Sequence, residues 1–252
     1  MPFPLPKDLG NSGEWHYSVD QGGGVYILYS KAETHVLSHL SSSGGLLNRT
    51  TLQLPRYFHT HSFAVLPDQT TMFLGSMPIS ETDVNSKSTR LSIWLGQNGK
   101  LVRTVQRGQQ FSPMDFMDGL VVAGESDTFI EAINSEIRVF SPQGDLLKTF
   151  SIVKPTADSF ATNLQLVDET IAVAFSHAVD AAPQIVAAPQ IAAVPKVLEE
   201  IWLLVNASNG DAEGFYKMPH NFVGSTLCYL GELRFLNITV QNGRNLFVEA
   251  SQ

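Results

Sequence analysis

His59-Thr60-His61 is the segment of this chain best suited to chemistry. Two histidines separated by one residue on an extended strand place both imidazoles on one side, which is how a pair of transition-metal ligands is offered together. Asp158, His220 and Asn221 sit in corresponding connections further along, at Ala157-Asp158-Ser159 and Pro219-His220-Asn221. If these connections share one rim, His59, His61, Asp158, His220 and Asn221 form a candidate ligand-binding set, with His59 and His61 as candidate metal ligands. The competing expectation is that these are plain hydrogen-bonding surface residues, with no metal and no cofactor. Acidic residues at Glu81, Asp83, Glu125, Asp127, Glu131 and Asp180 are read onto the same loops, as a rim that attracts cations or as ordinary solvated polarity.

Familiar catalytic signatures are missing. The chain has no Gly-x-Ser-x-Gly elbow, no P-loop, no His-Glu-x-x-His and no Cys-x-x-Cys. Gly22-Gly23-Gly24 joins two strand-like runs with no helix to supply a dipole, so it reads as a turn rather than a phosphate cradle. Asp20, Asp68, Asp118 and Asp168 recur at matching turns, where they fit turn formation better than acid/base work. Cys228 is the single cysteine; its neighbours Leu227 and Tyr229 point to a buried structural thiol.

The elements that must position these residues announce themselves by repetition. Gly44-Gly45-Leu46-Leu47-Asn48-Arg49-Thr50 returns as Gly99-Lys100-Leu101-Val102-Arg103-Thr104 and as Gly144-Asp145-Leu146-Leu147-Lys148-Thr149. A period of roughly 45 to 55 residues built from strand-like pieces is that of propeller blades. Each unit reads as strands a to d. Strand a covers 15–20, 63–67, 114–117, 163–167 and 227–230; strand b covers 25–29, 72–74, 120–123, 171–175 and 235–240. Strand c covers 91–95, 137–140 and 201–205, closed by Asn98-Gly99, Gln143-Gly144 and Asn209-Gly210, residues that accept the positive φ of a tight hairpin. The aliphatic pairs open strand d.

The expected fold is therefore an all-β propeller of four-stranded antiparallel blades, about five of them, as one domain over 1–252. Phe3 to Lys7 reads as a d strand and Leu246 to Ala250 as a c strand. Those ends fit either a five-bladed ring or a fragment of a larger propeller. The b-to-c and d-to-a connections share one face. Ser76 to Ser88, Gly124 to Asn134 and the Pro/Ala-rich insertion at 178–197 make it the long-loop face. In the insertion Ala-Ala-Pro-Gln-Ile occurs twice, as a slack expansion or a docking arm.

These phrases resemble NHL-type and related six-bladed propeller repeats, in their apolar b strand and the turn glycine between strands c and d. The aspartate that closes strand b in NHL repeats is absent: the matching places read Tyr29-Ser30, Gly75-Ser76, Gly124-Glu125 and Ser176-His177. The resemblance implies a scaffold that recognises a protein, peptide or glycan through its long-loop face, without catalysis. The alternative is a metal-dependent hydrolase or lactonase-like propeller enzyme with its site at the axial mouth.

A net charge of −8 over 252 residues, with no basic run, excludes nucleic-acid phosphate as the expected partner. No stretch of about 18 apolar residues suggests membrane insertion. Met1 to Pro6 lacks the pattern of a secretory signal. A soluble monomer is expected, its compartment open, and an exported location would fit a truncated N-terminus. Sequons at Asn48, Asn206 and Asn237 matter only in a glycosylating pathway.

Overall fold

A computed structural model describes residues 13–20, 22–31, 33–79, 88–110, 119–133, 135–180, 196–218, 225–241 and 244–251. The chain forms two compact units, Met1–Thr149 and Phe150–Gln252. All described regular structure is β.

The first unit carries three antiparallel meanders. β1 (Glu14–Val19), β2 (Val25–Lys31), β3 (Thr34–Leu40) and β4 (Leu46–Thr51) form the first sheet in that order. β5 (His59–Val65), β6 (Thr71–Pro78), β7 (Ser88–Leu95) and β8 (Leu101–Gln110) form the second. β9 (Leu120–Ala123), β10 (Phe129–Ile133), β11 (Glu136–Phe140) and β12 (Leu146–Ser151) form the third. In the second unit β13 (Phe160–Val167), β14 (Thr170–Asp180), β15 (Lys196–Asn206) and β16 (Ala212–Met218) make a fourth sheet. β17 (Ser225–Gly231), β18 (Arg234–Gln241) and β19 (Arg244–Ser251) make a three-stranded fifth. Sequential four-stranded meanders of this kind are propeller blades.

First strands of successive blades adjoin: β1 runs beside β5, β5 beside β9 and, in the second unit, β13 beside β17. Polar side chains lock these seams. Ser62 on β5 receives the Val121 N–H of β9 at 3.0 Å, and Gln165 on β13 receives the Tyr229 N–H of β17 at 2.8 Å. Between them the cores are apolar: Tyr26, Leu28, Phe63, Phe73 and Ile93 fill one interblade layer, and Met72, Leu74, Trp94, Phe129 and Phe140 the next. In the second unit Trp202 meets the edge of Phe235 with ring centres 5.5 Å apart.

The turn glycines do two jobs. Gly99 and Gly144 have φ of +71° and +82°, conformations that side chains resist. They also press on the preceding blade. A Cβ on Gly144 would lie 2.7 Å from Trp94, and the Gly99 carbonyl accepts the Gln53 N–H at 2.9 Å. The aliphatic pairs that follow, Leu46-Leu47, Leu101-Val102 and Leu146-Leu147, are more than half exposed at or near 50–60%, so the motif that repeats best is not core.

One blade departs from expectation. Leu120–Ala123 is the first strand of the third sheet, and the second strand is Phe129–Ile133. Asp118-Gly119 imitates the turn between strands a and b, while the run that is truly strand b carries Glu131 and so lacks the look of an apolar strand. Of the loop expected from Gly124 to Asn134, residues 124–133 are consequently a short turn plus a buried strand. Residues 114–117, Asp118 and the expected N-terminal d strand at 3–7 lie outside the described residues. The other long connections are shorter than expected at both ends: β6 and β7 pair as far as Pro78 opposite Ser88, and β14 and β15 as far as Asp180 opposite Lys196. Two of the four repeating acids do close turns: Asp20 takes the Gly24 N–H at 2.6 Å, and Asp68 takes the Thr70 N–H at 2.8 Å.

Candidate functional site

β5 begins on the face where β6 hands over to β7, and its first residues are the predicted pair. His59 lies directly opposite Ser76 on β6, and the register then slips by one residue between Thr60 and Ser62, leaving His61 as the extra residue of a bulge. His61 Nε2 shares a hydrogen bond of 3.2 Å with the hydroxyl of Ser76, the buried residue opposite His59 in the ladder. Their partners differ. His59 is exposed and its Nδ1 donates to Glu14 at 3.1 Å. His61 is half-buried, and its pKa falls to about 4, first because burial disfavours the cation and then because His59, Arg90 and His16 repel it.

Two histidines that the spacing argument missed stand near the same carboxylate. His16 on β1 and His35 on β3 both have lowered pKa values, burial being the main cause, and Glu14 opposes the shift in each. His35 Nδ1 shares a hydrogen bond with Ser30 at 3.0 Å, while His16 Nε2 is buried without a hydrogen-bond partner. Neither residue lies in a recognisable motif, so only the folded register exposes their kinship.

Asp158 is an exposed residue of the second unit, in a turn closed by the Ser159 N–H to the Thr156 carbonyl at 3.2 Å. His220 and Asn221 lie outside the described residues. Among the described residues no three His, Cys, Asp or Glu side chains are placed to hold a metal ion.

Three residues assigned to the acidic rim, Glu125, Asp127 and Glu131, fall elsewhere. Glu125 and Asp127 stand exposed in the β9–β10 turn, on the face opposite the β5 entry, because Leu120–Ala123 is a first strand. Glu81, Asp83 and the side chain of Asp180 are outside the described set. Glu131 is wholly buried on β10, where Arg107 at the far end of β8 meets it with Nη1 to Oε2 at 2.7 Å. Burial pushes the Glu131 carboxyl upward despite the attraction of Arg107 and Arg138. Arg107 also lies over the Phe140 ring, 5.6 Å from its centre.

His61, Arg90, Arg107 and Glu131, with Leu74, Gly75, Leu91, Gly119 and Ile133 around them, line a small open cleft of about 20 Å³ between the second and third blades. It is a polar site in an apolar seam. A histidine held neutral and a carboxyl pushed toward its neutral form, within one cleft, are the perturbations expected of a binding or reactive site. Cys228 is remote from it in sequence, half-buried on β17, with a thiol pKa raised by burial.

No family model and no curated protein matches this chain. Among solved structures it is similar to a protein of unknown function from Bacteroides caccae, at 12% identity and a TM-score of 0.51, covering 99% of this chain and 80% of that one. The β-propeller domain of the Trilobed protease from Pyrococcus furiosus aligns at 11% identity and a TM-score of 0.45, over 94% of this chain and 68% of that one. An oligogalacturonate lyase in complex with manganese aligns at 9% and 0.48, over 87% and 57%. Such likenesses concern fold alone. With the blade topology above, the class is an all-β propeller, and among the described residues no helix is long and apolar enough to cross a membrane.

Proposed function

We propose that this protein is a noncatalytic propeller module, with NHL-like repeats in a single domain, that binds a protein, peptide or glycan through the face where strands b and c connect. The observation that carries this reading is the cleft of His61, Arg90, Arg107 and Glu131, which opens where β5 begins and β6 gives way to β7. Binding sites are concave and mostly apolar, with a few convergent polar groups. Two hairpins extend on that side of their own blades. β14 and β15 are eleven residues each and remain paired to Asp180 and Lys196.

The experiment joins Asp180 to Lys196 through a two-residue turn, removing 181–195, and compares capture of partners with the intact chain and with His61→Gln. Asp180 and Lys196 are directly opposite, so a tight turn can close the shortened hairpin without moving the blade. Loss of a partner in either variant, with unfolding unchanged, supports the reading. Retention of every partner in both variants refutes it.

A further inference from the structure

Two blades carry the same phrase on their third strands and satisfy it differently. Ser92-Ile93-Trp94-Leu95 on β7 matches Glu200-Ile201-Trp202-Leu203 on β15. The frames around the two indoles agree. Both tryptophans are fully buried, and in the ladder each stands opposite a residue of its second strand, Met72 or Ala174. Each also meets a phenylalanine of the next blade, Phe140 or Phe235, with ring centres 5.5 Å apart. In the fourth blade the indole N–H of Trp202 donates to the Glu200 carboxylate at 2.8 Å, two residues back on the same face of the strand. In the second blade that position is Ser92. There Ser92 Oγ and Trp94 Nε1 are both buried without hydrogen-bond partners.

A serine hydroxyl stands where a glutamate has its γ-carbon, two bonds short of the carboxylate oxygen, so it stops about one water's width from the indole nitrogen. Whatever closes the gap must accept from the indole, which only donates, and bond a hydroxyl, which does either. A cation cannot accept. An anion can, but the neighbouring cations Arg103 and Arg107 are already matched by Asp145 and Glu131, and the seam is otherwise apolar. Water accepts, donates and carries no charge, and meeting buried polar atoms is what internal water does in folded chains. We infer that the seam between the second and third blades binds one ordered water molecule, which accepts from Trp94 Nε1 and donates to Ser92 Oγ, in the place that the Glu200 carboxylate takes beside Trp202. This site is independent of the binding reading above.

The test is a crystal structure of the intact chain at a resolution that shows ordered water, grown with bromide as the halide, and the same for Ser92→Gln. A water is expected within hydrogen-bond distance of both Trp94 Nε1 and Ser92 Oγ, with no anomalous signal from bromide, and none on Trp202 Nε1. In Ser92→Gln the amide oxygen should take the indole N–H directly and the water should be lost. In solution, NOE transfer from water, read by NMR on the indole protons of the unaltered chain, should reach Trp94 and not Trp202, so the inference is tested even where the variant fails to fold. A direct Ser92–Trp94 hydrogen bond, another protein group on the Trp94 nitrogen, bromide at the site, or equal transfer from water to both indoles would each overturn it.

Discussion

Acidification should weaken this fold through His61, and the size of the effect follows from its surroundings. Its pKa drops from an ordinary 6.5 to about 4 in the folded chain, with burial the leading cause and the neighbouring His59, Arg90 and His16 adding to it. A depressed folded value means that the unfolded chain takes up the proton first as pH falls. The stability is therefore whole above about pH 6.5 and drains away as pH drops toward the folded value. At about 1.4 kcal/mol per pH step, the loss approaches about 3 kcal/mol by pH 4. His16 and His35 are shifted in the same direction and add to the slope, whereas Glu131 is shifted upward and opposes it. A raised carboxyl destabilises the fold at neutral pH and is relieved by acid. His61→Gln isolates the imidazole, since glutamine can still hydrogen-bond Ser76. Urea unfolding from pH 7 to pH 4 should find the variant within about 1 kcal/mol of the parent at neutrality. At pH 4 it should be the more stable of the two by about 2–3 kcal/mol. Parallel pH profiles for the two proteins would refute the argument, because the imidazole would then titrate alike folded and unfolded.

Arg107→Ala should cost about 3–5 kcal/mol in denaturant unfolding by stranding Glu131, with a good part recovered on adding Glu131→Gln; equal losses in single and double variants would contradict the burial argument. Gly144→Ala meets both a positive φ and the Trp94 ring, so it should lower stability by at least about 2 kcal/mol. At Gly23, whose φ is +75° but whose nearest obstacle is 3.8 Å away, the same change should cost only about 1 kcal/mol, a contrast readable by thermal melts. Ser62→Ala leaves the Val121 N–H unsatisfied in the β5–β9 seam; a loss of about 1–3 kcal/mol and faster hydrogen exchange at Val121 are expected.

The blade pattern could be read from the chain because its cues are local. Asn98-Gly99, Gln143-Gly144 and Asn209-Gly210 mark hairpins by their need for positive φ, and all three glycines have it. The third blade misled for an equally local reason: Asp118-Gly119 has turn chemistry yet precedes the first strand, and Glu131 interrupts an otherwise apolar run. Its buried position is legible only through Arg107, 24 residues away in sequence. The histidine pair was legible as a pair. Its setting was not, since Glu14, His16, His35 and Ser76 approach through strand pairing and blade packing, which spacing along the chain does not encode. The arginine-glutamate cleft has no cue in the sequence, because each member, taken singly, is an ordinary charged residue of a strand or loop.

The outer strands carry one further implication. β4, β8 and β12 close their sheets with aliphatic pairs half open to water, and each also bears a cation, Arg49, Arg103 or Lys148. Greasy, extended borders of this sort are natural templates for fibre growth from one molecule to the next. A cation at the same place on these three borders sets charge where a further strand would have to pair, so the safeguard against polymerisation recurs with the strand itself.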